Sequence, residues 1–425
     1  MTVKPAYDSH GVGQFIGMRD KNILFWIERA LLVSVSFSDI TFGAVSGETS
    51  PFPLLLALLL MLFRSDRVDG SYLGIVSLFL SLAVISSIFN GIELGLAVAS
   101  AVAYMQVAAV AYYYWRYGWL HGMLIPSAIV CIHVVVGCLQ YFGFLTAALD
   151  FVFSLTLPRG SATALHDIGR GVSFWNTEPS HALQSILLPC FILLFGTSWH
   201  RLLSVSVVIA TVLMSSAGVG ALYLIIFCLI LFLLRPVLAF AILGAVVLFV
   251  WLIGAEGRLG YISVVVYEYF SWGGWSAIGN LTLLSGFRLP SVLSSYTNLL
   301  SIPSGFGSGY WSVSVLDLME LAGYETEVMG HWVFTGEYTP VKPYSLAANL
   351  VVDFWWFGAG LVLCVSWVRL KNIFGAFRAG FLSDYQFCMI WVSLFGLLFL
   401  ITAGKPAFAS ILFFNYLTLI GEVER

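Results

Sequence analysis

Between two hydrophobic stretches the chain reads His166-Asp167-Ile168-Gly169-Arg170-Gly171-Val172-Ser173-Phe174-Trp175-Asn176-Thr177-Glu178-Pro179-Ser180-His181, which gathers two histidines, an aspartate, an arginine and a glutamate within sixteen residues. Elsewhere charge is scarce: 10% of the chain is charged and 60% is hydrophobic, against about 25% charged in an average soluble domain. Charge beside hydrocarbon is costly and is kept where it has a use, so this segment is the first candidate for chemistry. Arg170 offers a planar, permanently charged fork suited to bidentate phosphate binding. Glu178 stands just before Pro179 and Ser180, a pattern that opens a helix. Its carboxylate either rests on the helix dipole or serves as a general base toward a hydroxyl, with His166 and His181 as alternates. His166, Asp167 and His181 are spread across a Gly-rich stretch, a poor arrangement for a metal, and no metal or cofactor is expected.

Other residues could join them. Arg288 lies in a second long stretch outside the apolar spans, and two such arginines suit a lipid-linked phosphate or pyrophosphate; the alternative is pairing with Asp167, Glu178 or Asp317. Lys342, in Lys342-Pro343-Tyr344-Ser345, is a third phosphate ligand or an ordinary interfacial lysine. Asp353, about seven residues into an apolar span beside Trp355 and Trp356, and Glu93, after Asn90-Gly91, are acids within spans. Intramembrane carboxylates are functional candidates by default, and both are expected near enough to a helix end to reach water. Trp175, Trp311 and Trp332 offer rings that either stack on sugars or pack the loops. The six cysteines (131, 138, 190, 228, 364 and 388) lie in or beside apolar spans without a C-x-x-C pair and read as apolar filler. The Gly-rich run 303–309 follows no strand, which argues against a dinucleotide-binding loop.

The elements that must position these residues are membrane helices. A span needs about 20 mostly apolar residues. Twelve candidates can be placed, at 22–39, 51–63, 71–89, 92–114, 122–145, 181–198, 201–216, 218–234, 236–254, 346–368, 385–402 and 405–421. The polar stretch Met1–Asp20 has no apolar core followed by a cleavage site, so the first span is expected to act as its own insertion signal. Threading the spans with both termini in the cytoplasm puts 13 of the 19 Lys and Arg on that side, as the positive-inside rule demands. Arg159, Arg170, Arg258, Arg288, Lys342 and Lys405 fall on the other. The expected organisation is therefore residues 1–254 as nine spans including an outer loop at 146–180, residues 255–345 as a large outer loop with short interfacial helices, and residues 346–425 as three more spans. A net charge of −3 argues against a nucleic-acid partner.

In this order and topology the chain resembles the Wzy-type O-antigen polymerases, within the group that also holds the O-antigen ligases. Arg170-Gly171 followed by Glu178-Pro179-Ser180 is similar to that family's "R-G … EPS" segment. Met214-Ser215-Ser216-Ala217-Gly218, between two spans, is similar to its "S-R-G" turn, with Ala217 where the family often has Arg. Arg288 with Pro303–Gly309 resembles its loop Arg and later "G-x-G". Pro343-Tyr344-Ser345 enters the next span, which carries Gly358. The ligases have His-Asn at that entrance; Tyr344-Ser345 here favours polymerase.

The resemblance, which covers about residues 120–400, implies an all-α polytopic membrane protein of about twelve transmembrane helices, GT-C-like, with a large periplasmic loop. It implies a metal-independent glycosyltransferase at the periplasmic face of the bacterial inner membrane, with no cofactor. Donor and acceptor would both be polyprenyl-diphosphate-linked glycans in the lipid bilayer, and a chain-length regulator is a candidate further partner. On this reading Arg170 and Arg288 bind diphosphate, Glu178 is the base with His166 as alternate, Arg159 and Lys342 assist electrostatically, and Tyr344, Trp175 and Asp353 line the substrate. The competing readings are an O-antigen ligase acting on lipid A core, and a transporter or flippase. The latter should show midplane charges or repeated halves, neither of which the sequence displays.

Overall fold

The computed structural model describes residues 18–37, 52–64, 70–117, 122–157, 172–176, 179–194, 196–215 and 346–378, with a few isolated positions besides. The expected spans at 218–234, 236–254, 385–402 and 405–421 and the loop 255–345 lie outside the described residues, isolated positions apart. The described elements are all α-helices: α1 (Met18–Ser36), α2 (Phe52–Arg64), α3 (Gly70–Phe89), α4 (Leu94–Tyr117), α5 (Leu124–Tyr141), α6 (Thr146–Thr156), α7 (Pro179–Leu194), α8 (Ser198–Ser215) and α9 (Leu346–Arg378). Among the described residues, each of these except α6 coincides with an expected span. The α6 helix occupies the start of the stretch read as an outer loop; at 11 residues it is too short to cross hydrocarbon unaided.

Length and composition qualify three described stretches to cross a membrane, namely Tyr72–Phe89, Leu124–Tyr141 and Ser198–Ser215. The α5 helix has the surface pattern expected of a helix exposed to lipid. Its buried stripe is Pro126, Ile129, Val130, His133, Val136, Gly137 and Gln140, spaced by threes and fours along one face. Ile132 and Val135 point outward, 47% and 56% exposed. A soluble amphipathic helix turns its polar face out; this one turns its two most polar residues in. Trp26, Leu62 and Trp367 are likewise outward-facing and large.

The helices form one packed group around a core that includes Leu31, Ala57, Tyr113, Val130, Leu187, Phe191 and Val208. Helix α1 lies against α2 and α7, α2 against α4, α3 against α4 and α9, and α5 against α6, α7 and α8. Helices α7 and α8 run antiparallel, as a short connection requires. Arg201 Nε donates to the Leu194 carbonyl at 3.1 Å, so a cation caps the end of α7. Helix α5 closes with a Schellman turn: Phe144 N–H reaches Leu139 O at 2.8 Å and Gly143 N–H reaches Gln140 O at 3.2 Å. That turn needs a left-handed residue, and Gly143 supplies it at φ 68°. The chain thereby reverses into α6.

One charged cluster lies inside the bundle. Glu28 of α1, 6% exposed, pairs with Arg64 at the end of α2 and accepts a hydrogen bond from Tyr113 of α4. The Arg64 guanidinium also stands 5.7 Å from the Tyr113 ring. Three helices are thus tied by one carboxylate that belongs to none of the sequence motifs, though an acid inside an apolar span is itself a signal.

Candidate functional site

Part of the chain between α6 and α7 lies inside the bundle. Residues 172–176 are non-helical, yet Val172, Ser173, Phe174 and Asn176 are all buried. Buried irregular backbone is tolerated only where protein satisfies its polar groups. Here each neighbouring helix supplies a bond. Val172 N–H donates to Met214 O of α8 at 3.0 Å. Phe174 N–H donates to Gln140 Oε1 of α5 at 2.7 Å, and Gln140 Nε2 returns a bond to Phe174 O at 3.0 Å. Asn176 Nδ2 donates at 3.3 Å both to Ser173 O and to Ser185 Oγ of α7. Trp175 Nε1 reaches Thr156 Oγ1 of α6, also at 3.3 Å.

Packing fixes the same stretch. Phe174 is fully buried, and its ring lies against Gly137 so closely that a Cβ there would overlap it. On the preceding turn of α5, the His133 imidazole stacks flat on that ring, 4.3 Å between centroids at 7°. Neither His133 nitrogen has a hydrogen-bonding partner among the described residues, so this histidine contributes a ring surface here. Val172, Phe174, Ala182 and Met214 form a small apolar cluster of their own. Phe174 holds its place with a left-handed backbone, φ 57°. That conformation costs a side-chain-bearing residue about 1–2 kcal/mol, comparable with two hydrogen bonds at about 1 kcal/mol each.

No family model, curated protein or solved structure matches the chain.

Among the candidates drawn from the sequence, Trp175, His181, Asp353 and Glu93 fall within the described residues. Trp175 is half-buried, edge-on to Phe153 and to Phe37 with centroids 5.9 Å away in each case. It packs Phe153 of α6 and Phe37, just beyond α1, against the buried stretch. His181 lies in the first turn of α7 and is partly exposed. Asp353, expected close enough to a helix end to reach water, is instead 1% exposed. Packing against α4 accounts for this: Tyr104 donates to Asp353 Oδ2 at 2.6 Å, and the Tyr104 ring meets Phe354 edge-on at 5.0 Å. Glu93 is exposed, as expected. Arg159, His166, Arg170, Glu178, Arg288, Lys342 and Tyr344 lie outside the described residues.

The structure does bring together two stretches that the sequence singles out separately. The bond from Val172 to Met214 O joins the Arg170–Ser180 segment to the start of Met214–Gly218. Pro179 begins α7, as its position in the sequence indicates. Gln140, Gly137 and His133 are absent from the motifs. Their signal is the spacing His133-x3-Gly137-x2-Gln140, which puts two polar residues and a gap on one face of an otherwise apolar helix.

Proposed function

We propose that this chain is an integral-membrane glycosyltransferase of the O-antigen polymerase type, acting at the periplasmic face of the bacterial inner membrane. Its architecture on this reading is GT-C-like, with about twelve spans. The observation that carries the reading is the pairing of Val172 with Met214 O. Two short motifs that resemble those of that family are far apart in sequence, and a catalytic centre built from both requires them to meet. The buried setting of residues 172–176 adds to it, since backbone kept irregular inside a bundle belongs where side chains must be held in place.

The reaction follows from the residue types. An acceptor hydroxyl attacks the anomeric carbon of a polyprenyl-diphosphate-linked glycan. The new C–O bond forms as the bond to the diphosphate oxygen breaks, and the electron pair leaves on polyprenyl diphosphate. Glu178 takes the hydroxyl proton. Arg170 and Arg288 neutralise the diphosphates, a role that divalent cations fill in other transferases, with Arg159 and Lys342 adding positive potential. His166 is the alternate base. Tyr344, Trp175 and Asp353 line the substrate.

Purified protein supplied with a polyprenyl-diphosphate-linked repeat unit, without added metal, tests this reading. A ladder of lengthening products is expected, and Arg288→Ala should abolish it while the protein stays in the membrane. Transfer of a preformed glycan to lipid A core with no ladder would overturn polymerase in favour of ligase.

A further inference from the structure

We infer that Gln140 is a positioning residue for the transfer reaction, holding the Arg170–Glu178 segment through the main chain of Phe174. The inference rests on the proposed function for what the segment does, and on the described geometry for how it is held. Arg170 precedes Val172 by two residues, and Glu178 follows Asn176 by two. The stretch between them is the part the bundle grips, and Gln140 grips it at both polar groups of one residue. Its carboxamide accepts from Phe174 N–H and donates to Phe174 C=O, as a paired strand would. A hydrophobic residue at 140 would leave both main-chain groups buried without those bonds.

Three residues on one face of α5 act together. Gln140 fixes the backbone of Phe174, Gly137 opens the notch for its ring, and His133 covers the ring's face. The residue they hold is left-handed and bears a side chain. Such strain persists only where surroundings over-determine it, and it concentrates at functional sites. Without Gln140, Phe174 would relax toward an ordinary backbone conformation and carry its flanking residues with it. A displacement of about 1 Å at a reacting group can cost on the order of a hundredfold in rate.

The test compares Gln140→Leu and Gln140→Glu with the parent. Glutamate still accepts from Phe174 N–H; leucine neither accepts nor donates. The first readout uses all three proteins with Ser173→Cys added, and follows alkylation of the introduced thiol by a small maleimide, scored by peptide mass spectrometry. The second is turnover of the lipid-linked repeat unit, measured without Ser173→Cys at matched amounts of folded protein. The expected result is a protected thiol in the parent background, a reactive one in Gln140→Leu, and turnover falling about a hundredfold in Gln140→Leu, with Gln140→Glu between the two. A purely structural role would lower the yield of folded protein without grading turnover per folded molecule. Unchanged protection of the thiol in Gln140→Leu overturns the inference, and so does a reactive thiol with parental turnover. Failure of the functional reading is seen separately, as a parent protein that builds no ladder at all. Should Gln140→Leu fail to fold, Gln140→Glu decides on the same two readouts.

Discussion

Gln140 and Phe174 exchange two hydrogen bonds across the boundary between a helix and a non-helical segment, at 2.7 and 3.0 Å. This contact lets five residues of irregular chain lie inside a bundle whose outer surface is apolar. Its components are ordinary; their placement on successive turns of α5 is what makes a seat for the segment. Each part of that seat makes its own demand on the sequence.

Gly137 is the least replaceable of them. A Cβ at this position would overlap the Phe174 ring, and the ring is enclosed with no free side to move toward. Gly137→Ala should destabilise the protein by about 1–3 kcal/mol, the usual range for overpacking a filled core. The check is loss of folded, monodisperse protein on heating in detergent. A variant as heat-resistant as the parent would mean that the ring shifts at no cost. Gly122, with open space around its Cβ position, is the control: Gly122→Ala should leave stability unchanged.

The Glu28–Arg64 pair makes a different prediction, because buried charge is costly whenever its partner is lost. Removing either member alone should cost about 3–5 kcal/mol, whereas replacing both with apolar residues of similar size is often neutral. Glu28→Leu and Arg64→Leu should therefore each lower the thermal midpoint sharply, and the double variant should recover much of the loss. Tyr113→Phe, which removes only the phenolic donor to Glu28, should cost less than either. Additive losses in the double variant would show that the pair is not coupled.

How much of this is legible in the sequence differs by element. Apolar runs announce α1 to α5, α7, α8 and α9 directly, and three described stretches reach the length and composition of about 20 apolar residues that a span demands. The α6 helix is not legible: Thr146–Thr156 is short, and its burial depends on Phe153 meeting Val136 of α5 and Trp175. The depth of Asp353 is hidden for a related reason. Position along a helix indicates distance from its end, but exclusion of water is set by what packs alongside, here Tyr104 of α4. Pro179 reads directly as a helix start because proline's fixed φ is a local property. The spacing of His133, Gly137 and Gln140 marks one face of α5, but what Gln140 holds is set by a contact 34 residues away.

Tyr104 and Asp353 can be separated by the severity of their loss. Tyr104→Phe deletes one hydroxyl from a fully enclosed hydrogen bond of 2.6 Å, a change expected to cost about 1–3 kcal/mol. If the pair serves stability alone, the lost stability should appear on heating while turnover per folded molecule stays at the parental level. Asp353→Asn keeps the shape and removes the charge. A drop in turnover from Asp353→Asn that Tyr104→Phe does not share would assign the carboxylate a direct part in the reaction. Equal effects would keep it in the supporting layer.

Glu178 allows the sharpest separation of role from position, because it immediately precedes the first residue of α7. A carboxylate there gains from the helix dipole whether or not it does chemistry, by about 0.3–1 kcal/mol. Glu178→Gln preserves size and hydrogen-bonding capacity but cannot take up a proton at neutral pH. If Glu178 is the base, kcat should fall by about 10²–10⁴ while KM for the lipid-linked repeat stays near the parental value, since the phosphate ligands are untouched. If it is only helix-terminal, kcat should hold and the thermal midpoint alone should move slightly. Arg170→Lys is the complementary variant: it retains the positive charge and gives up the planar fork. If Arg170 holds the diphosphate, the variant should raise KM and lower kcat together, because that group would be held in the ground state and carry still more charge as it leaves. A Glu178→Gln protein with undiminished kcat would pass the role of base to His166, whose replacement by glutamine should then stop the reaction.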